Sequence, residues 1–300
     1  MNALQHVARP RRRSVDLAGA ATQSLLIAPL TLAVLLFVAV PGGIFLVYSF
    51  WHVEVFSIVH DFTWSNYREV FSGGLYRHSL WNAFLIGGLT TAVCCTIAFA
   101  LAWAVRFHAG RWRDVVVVLI VISSVSSYLA RLYAWRSILG RDGLVNYSLE
   151  KIGAIDAPLG FLIFNRFAIV IALVHIFLPF AFLPIYSSLL QLDEETLQAG
   201  RVLGAGPIRN FFKVAFPLAS TGLAVSCIYV FIFATGDYAV PTFLGGPGGV
   251  VAARVIADQF GAVFNWPLGA ALSFVYLLFL AFLLGAFTWL ITRRARRVAQ

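Results

Sequence analysis

Apolar residues in this chain occur in long stretches that carry little or no charge. Six of these stretches lie near residues 24–50, 80–105, 115–139, 167–190, 216–236 and 268–292. Each is long enough for a helix to cross a hydrocarbon core, which takes about 20 residues. Polarity does not alternate along them, as it would in the strands of a membrane barrel. The pattern therefore predicts an all-α integral membrane protein with six transmembrane helices.

The composition agrees with a chain whose main solvent is lipid, since 60% of the residues are hydrophobic and 12% are charged. The first apolar stretch follows four arginines, as the core of a secretory signal peptide would. It is uncharged over residues 17–51, however, and the apolar region of a signal peptide spans only about 7–15 residues. We therefore interpret this stretch as a retained first membrane helix.

The connections between the stretches carry unequal charge. Residues 1–23, 106–114, 192–217 and 293–300 together hold 14 Arg or Lys and 5 Asp or Glu, whereas the rest of the chain holds 8 of each. By the positive-inside rule, both termini are predicted to be cytoplasmic. The net charge of +9 thus indicates membrane topology and not binding to nucleic acid. The predicted parts are a cytoplasmic tail at 1–22, a membrane domain at 23–292 and a basic cytoplasmic tail at 293–300.

The predicted cytoplasmic segment at residues 192–217 has the signals of two short helices separated by a break. Asp193 is a predicted N-cap, and Gly204 is of the residue type that most often terminates a helix. Pro207 suits the first turn of the second helix. We expect that helix to run to about residue 214 and Pro217 to end it before the next span begins.

Small residues recur at helical spacing on one face of the first of these helices. They are Ala199, Gly200 and Gly204, with Leu203 beside them. A face with so little side chain lets another protein approach the backbone closely. The alternative is a GxxxG packing pair of a membrane helix, but Arg201 and three neighbouring acids disfavour burial in lipid.

The same residues resemble the EAA motif of the permeases of ATP-binding-cassette (ABC) importers. The sequence QAGRVLG at residues 198–204 is followed, after nine residues, by VAFP at 214–217, and both spacings match the motif. Gln198, Gly200 and Val202 replace the Glu, the Ala and the acid that are usual in the family. The missing carboxylate weakens an account of docking by charge pairs and leaves the account by small-residue shape intact.

The resemblance extends over most of the chain and is to the first-permease type of polyamine uptake systems. It is carried by FT and NY at 62–67, YAW at 133–135, LGRDGL at 139–144, LPF at 178–180, GDY at 236–238, LGG at 244–246 and NWP at 265–267. It implies the type I ABC importer (MetI-like) permease fold, with a cytoplasmic coupling helix at 192–217. The coupling residues that it implies are Gln198, Ala199, Gly200, Leu203, Gly204, Ala205, Pro207 and Pro217.

The resemblance also implies the partners and the location. These are a dimer of ABC ATPase subunits, a second permease that is expected to be a different chain, an external solute-binding protein and the lipid of the cell inner membrane. The implied solute is a polyamine such as spermidine or putrescine. Amino-acid-like solutes, phosphonates and other organic anions stay open as alternatives, as does a pair of identical permeases.

The residues themselves indicate a permease that is not an enzyme. They also indicate that it binds no cofactor and no metal. The phosphate-binding loop GxxxxGK[ST] is absent, since neither Lys151 nor Lys213 is followed by Ser or Thr. The glycines at 245–249 are expected to form a turn on the outer side. The three cysteines and six histidines lack the spacing of a metal site, which disfavours a membrane enzyme. A secondary transporter would leave the 192–217 segment without a task, and the internal repeats typical of that class are not evident.

Two ionisable residues near the ends of predicted spans are candidates for the translocation pathway. At a rise of about 1.5 Å per residue, Arg131 and Asp237 lie about 24 and 27 Å from the inner edge of a core about 30 Å thick. A carboxylate and aromatic faces in an outward vestibule would suit a cation. The alternative is that Arg131 extends to the interface and Asp237 caps its helix. The pathway candidates are Arg131, Trp135, Asp237, Tyr238 and Trp266. His175, in the fourth span, is expected to form an interhelical hydrogen bond in preference to relaying protons.

Overall fold

The computed structural model of the chain describes residues 28–54, 57–192, 194–202 and 206–298. The chain divides into two units, Met1–Tyr48 and Ser49–Gln300. The described part of the first unit is helix α1 (Ala28–Tyr48), which is apolar along its whole length and buries none of its residues within the protein. An apolar helix of this kind is solvated by lipid. A π-helical turn, Leu35–Ala39, ends two residues before Pro41, whose ring removes a backbone donor from the helix.

The second unit begins with a short antiparallel hairpin and is otherwise helical over the residues that the structure describes. In the hairpin, strand β1 (His52–Glu54) pairs with β2 (Ser57–Val59), with His52 opposite Val59. The helices are α2 (Ser65–Ser72), α3 (Gly74–Phe107), α4 (Arg113–Val125), α5 (Tyr128–Leu139), α6 (Leu144–Lys151), α7 (Arg166–Leu190), α8 (Glu194–Val202), α9 (Pro207–Asn210), α10 (Phe216–Gly236), α11 (Ala239–Leu244), α12 (Ala252–Gly261) and α13 (Trp266–Val298). The helix α13 thus extends into the predicted C-terminal tail.

Five helical segments in the described part of the chain are long and apolar enough to cross a membrane. They are Ala28–Tyr48, Gly74–Phe107, Arg166–Leu190, Phe211–Gly236 and Trp266–Leu290. A sixth span exists if the segments Gly110–Val125 and Tyr128–Lys151 count as one, and these meet at an angle of 95°. The third predicted span, residues 115–139, is therefore bent, whereas the depth calculated for Arg131 assumed a straight helix.

Serines explain the break in the third span. Ser126 and Ser127 have extended backbone torsions, with ψ of 146° and 131°. The hydroxyl of Ser126 donates to the carbonyl of Ser123 at 2.8 Å, and Ser127 Oγ accepts from the backbone N–H of Ala130 at 3.5 Å. Serine side chains that bond to the nearby backbone compete with the hydrogen bonds of a continuous helix. The local sequence thus ends α4 and caps α5.

The core lies where α3, α7 and α10 pack together. Side chains from these helices are among the buried apolar residues, including Ile86, Ala98, Leu173, Phe182, Ile185 and Val230. Gly222 of α10 lies against the backbone of Pro184 in α7, and a Cβ there would collide with the Pro184 carbonyl. One turn further along α10, Ser226 Oγ donates to the carbonyl of Ala181 at 2.7 Å. Small residues and hydroxyls at such crossings hold membrane helices together where hydrophobic exclusion by water is absent.

Candidate functional site

The predicted coupling segment contains one short helix and the start of a second helix. The first is α8 (Glu194–Val202) and the second begins with α9 at Pro207. Gln198, Ala199 and Gly200 belong to α8. Asp193, Leu203, Gly204 and Ala205 lie outside the described residues.

An apolar cluster attaches this segment to the end of α3. Leu192, Leu197 and Ala215 are buried, and they pack against the rings of Trp103 and Phe107. A hydrogen bond from the Arg106 guanidinium to the carbonyl of Leu192, at 3.4 Å, lies beside the cluster. The segment is therefore packed directly on a helix that is long and apolar enough to cross the membrane.

Asn210 joins the two halves of the coupling segment. Its side chain is buried, and its Nδ2 donates to the carbonyl of Leu197 at 2.8 Å. Gly200 lies directly over this amide, because a Cβ at Gly200 would be 3.0 Å from Asn210 Cγ and still closer to Oδ1. Gly200 is thus accounted for by close packing inside the segment, and the docking of another protein is not needed to explain it.

Pro217 does not end the second helix, so that expectation was wrong. The helix continues from Pro207 through Gly236, with a π-helical turn at Phe211–Ala215. As in α1, the wide turn ends two residues before the proline. Proline lacks the N–H that an α-helix would use at that point, and the altered hydrogen-bond register of a π-turn accommodates the gap. The cytoplasmic segment is therefore continuous with a membrane span.

The surface of α8 exposes both a polar and an apolar side chain. Gln198 is exposed, and Val202 is 86% exposed. Single exposed apolar side chains are common on protein surfaces, so Val202 alone does not identify an interface.

The Arg131 side chain, which belongs to α5, contacts the middle of α7. Its Nη1 donates to the carbonyl of Ile176 at 3.2 Å. Ile176 lies ten residues past Arg166 in a helix of 25 residues, which is about 15 Å along it at about 1.5 Å per residue. The depth expected from the sequence assumed a straight span, and the 95° bend before α5 invalidates that assumption.

Trp135 and His175 form the neighbouring contact between α5 and α7. The indole Nε1 donates to His175 Nδ1 at 3.1 Å, and the two ring centroids lie 5.7 Å apart. Because the indole is only a donor, Nδ1 must be the acceptor, so the imidazole proton is assigned to Nε2 in the neutral form. The prediction of an interhelical hydrogen bond at His175 is confirmed.

Asp237 lies at the junction of α10 and α11 and makes two hydrogen bonds. Its Oδ2 accepts from the hydroxyl of Tyr128, the first residue of α5, at 2.5 Å. Its Oδ1 accepts from the backbone N–H of Val240 at 2.9 Å. Asp237 thus ends α10, as the alternative for this residue expected, and its carboxylate also accepts an N–H in the first turn of α11.

The remaining two pathway candidates lie apart from these contacts. Tyr238 follows Asp237 and is 56% exposed. Trp266 begins α13, is 40% exposed and packs edge-on against Phe260 at 5.9 Å between centroids. The structure thus distributes the five candidates over α5, the α10–α11 junction and the start of α13.

Sequence reasoning missed two residues of these sites. Tyr128 was not singled out, although the serines before it are a signal that a helix begins there. Asn210 was also missed, and no local pattern marks it as the partner of Gly200. Among the residues that the structure describes, no three His, Cys, Asp or Glu side chains are placed to hold a metal ion.

Comparison with known proteins identifies the class of this one. The chain belongs to the family of binding-protein-dependent transport system inner membrane components, whose profile matches residues 24–299. The resemblance that the motifs carried is therefore confirmed. The protein is a permease subunit of an ABC importer, an inner membrane protein whose relatives are transport subunits and not enzymes, and ATP hydrolysis belongs to a separate subunit.

Particular relatives narrow the comparison. The chain is 33% identical to the spermidine/putrescine transport system permease protein PotB of Haemophilus influenzae, over 70% of this chain and 73% of PotB. It is 31% identical to the inner membrane ABC transporter permease protein YdcU of Escherichia coli, over 77% and 79% of the two chains. Among solved structures, a chain of a bacterial alginate ABC transporter, in complex with an alginate-pentasaccharide-bound periplasmic protein, matches with a TM-score of 0.76 at 13% identity, over 95% of this chain and 97% of that one. This last likeness shows the fold alone.

Proposed function

We propose that this permease subunit translocates a polyamine such as spermidine or putrescine. The observation that carries the proposal is the 33% identity to a spermidine/putrescine permease over 70% of the chain. Exposed aromatic rings at Tyr238 and Trp266 support it, since such rings attract organic ammonium groups. The proposed pathway also includes Arg131, Trp135 and Asp237. Trp135 and Asp237 hydrogen-bond to His175 and Tyr128, respectively.

We propose that α8 is the surface on which an ABC ATPase subunit docks. Val202 and Gln198 would contact the ATPase, while Leu197 holds α8 on Trp103 and Phe107 of α3. When the ATPase dimer closes on ATP, α8 would move with it. The buried cluster would pass this movement to α3, and α3 to α7 and α10, which pack on it. The remaining proposed coupling residues are Ala199, Gly200, Leu203, Gly204, Ala205, Pro207 and Pro217.

The proposed assembly contains two ATPase subunits, this chain, a second and different permease, and an external solute-binding protein, all held by the lipid of the inner membrane. Nucleic acid has no place in it. Both termini would be cytoplasmic, because the charge excess on that side follows the positive-inside rule.

The solute is tested on the cognate binding protein. Its thermal unfolding is followed while spermidine, putrescine, amino acids, phosphonates and sugar acids are added one at a time. We expect a concentration-dependent rise in melting temperature with the polyamines alone, because a ligand that binds only the folded state stabilises it. A rise with an anionic or neutral solute and none with polyamines would overturn the polyamine proposal and leave the permease assignment standing.

One observation favours a second candidate, an organic anion. Arg131 of α5 places a positive charge against the middle of α7, and its Nε is buried without a hydrogen-bond partner. Among the described residues, its observed partner is the carbonyl of Ile176 and no carboxylate pairs with it. A charge of this kind inside a membrane usually marks a pathway or faces a counter-charge. An anionic solute would supply that charge, and Arg131→Gln would then raise the KM for it.

A further inference from the structure

We propose that Asp237 is a positioning residue which acts through Tyr128, and that the pair sets the orientation of the half-helix α5 for transport. The proposal concerns the importer as such and does not depend on which solute it carries. It replaces direct contact between Asp237 and a cationic solute as the role of that carboxylate.

The pair joins two places where membrane helices are interrupted. Tyr128 is the first residue after the 95° break between α4 and α5. Asp237 is the first residue after α10 ends, and its backbone is extended, with ψ of 125°. The hydrogen bond of 2.5 Å between them therefore connects two helix ends that are 109 residues apart in the sequence. Such a bond is stronger than one between two neutral groups when the carboxyl is ionised.

Both oxygens of the carboxylate are already used by the protein. Oδ2 accepts from Tyr128, and Oδ1 accepts from the N–H of Val240 at the start of α11. Each oxygen keeps one further lone pair, so the variants must separate this positioning role from direct contact with a solute cation. The geometry is that of a junction between α5, α10 and α11.

A second contact joins the same elements. The ring of Tyr133 in α5 packs edge-on against Phe243 in α11, with centroids 5.6 Å apart. Two contacts, one polar and one aromatic, thus fix α5 to the α10–α11 corner. A half-helix held at two points has a defined orientation.

The orientation of α5 determines where the charged and aromatic candidates lie. Tyr128, Arg131 and Trp135 are spaced by three and four residues, so they share one face of α5. Their respective partners are the carboxylate of Asp237, the carbonyl of Ile176 and the ring of His175. Loss of the first contact allows α5 to pivot at the serine break, which moves Arg131 and Trp135 off α7.

The test uses the complete importer reconstituted in proteoliposomes. The binding protein is purified from cells and used without removing any solute that it carries. Two rates are measured: ATP hydrolysis with and without the binding protein, and uptake of radiolabelled spermidine. The variants are Tyr128→Phe, Asp237→Ala, Asp237→Asn and the double variant Tyr128→Phe/Asp237→Ala. Tyr133→Phe is the matched control, because it makes the same chemical change on the same helix and keeps the ring that packs on Phe243.

We expect Tyr128→Phe and Asp237→Ala each to lower the hydrolysis rate measured with the binding protein by about tenfold, since a lost charge-assisted bond is worth about that factor. The double variant should resemble either single one. Asp237→Asn should keep most of the rate, because its amide can still bond to the Tyr128 hydroxyl and the Val240 N–H. The maximal rate of spermidine uptake should fall while its KM stays constant.

Three results would overturn the proposal. One is a normal stimulated rate in Tyr128→Phe, and another is an additive loss in the double variant. The third is an Asp237→Asn variant as defective as Asp237→Ala with a raised KM for spermidine, which would make the carboxylate a solute contact. If the wild-type importer does not take up spermidine, the polyamine proposal fails, and the hydrolysis rates still decide the role of Asp237.

Discussion

Replacing Gly200 by alanine tests whether the coupling segment is packed as the structure shows. The new methyl would lie 3.0 Å from Asn210 Cγ and closer still to its Oδ1, so Asn210 must move. Forcing an extra methyl into a packed site destabilises by about 1–3 kcal/mol. Displacing Asn210 also breaks its bond to the buried Leu197 carbonyl, which adds about 1–3 kcal/mol for an unsatisfied polar group. We expect a total of about 2–4 kcal/mol, since relaxation offsets part of the sum.

The assay is thermal unfolding of the purified importer in detergent, combined with ATP hydrolysis stimulated by the binding protein. We expect Gly200→Ala to lower both the unfolding temperature and the stimulated rate. Gly206→Ala is the control, because a Cβ at Gly206 meets no atom within 4 Å. The double variant Gly200→Ala/Asn210→Ala should be less destabilised than the sum of the single variants, since the collision no longer exists.

A Gly200→Ala protein as stable and as well coupled as the wild type would refute this reasoning. The result would be informative, because the EAA motif that this segment resembles has alanine at this position. It would mean that Asn210 adapts freely and that the small residue is required by the partner and not by the fold.

Three further predictions concern the scaffold. Gly222→Ala should reduce the amount of assembled importer in membranes, because a Cβ at Gly222 collides with the Pro184 backbone. The control is Gly88→Ala, which should not reduce it, since a Cβ at Gly88 meets no atom within 4 Å. Equal amounts of the two variants would contradict the close packing of α7 and α10. Asn66→Asp should lower the free energy of unfolding by about 2–4 kcal/mol and with it the unfolding temperature in detergent. The reason is that Nδ2 of Asn66 donates to the carbonyls of Ser49 and Trp51 at 2.9 and 2.6 Å, whereas a carboxylate cannot donate. An unchanged unfolding temperature would contradict this prediction. A green fluorescent protein fused after residue 300 should fluoresce in cells, as expected for a cytoplasmic C-terminus, and a dark but full-length fusion would contradict the orientation.

Long uncharged runs allowed the spans to be predicted from sequence. A helix of about 20 apolar residues is long enough to cross the hydrocarbon core, and this property does not depend on contacts with distant residues. The third span was predicted only in part. Its hydropathy is that of a membrane segment, whereas the bend depends on hydrogen bonds that Ser126 and Ser127 make with the nearby backbone. Hydropathy averages do not register such bonds.

Proline illustrates a second limit. Pro217 was expected to end a helix, which is what proline does when nothing compensates for its missing donor. Here a π-turn at Phe211–Ala215 precedes it and the helix continues. Whether a proline stops or only perturbs a helix depends on the surrounding packing, which a single sequence does not reveal.

The partners of the candidate residues were the least predictable feature. Asp237 was recognised as unusual because of its charge beside an apolar run, but its partner Tyr128 lies 109 residues away. Gly200 was recognised as small, and the structure gives the reason as Asn210. Local spacing identifies which residues are unusual, whereas tertiary contacts determine what those residues do.

The most direct test of the proposed function is uptake by the purified importer, reconstituted in proteoliposomes with its ATPase, second permease and binding protein. Radiolabelled spermidine is supplied on the side of the binding protein and ATP on the side of the ATPase. We predict accumulation that requires both ATP and the binding protein, and that excess putrescine reduces but excess phosphonate does not. Hydrolysis of ATP stimulated by the binding protein, without any accumulation of spermidine or putrescine, would contradict the assignment of a polyamine solute.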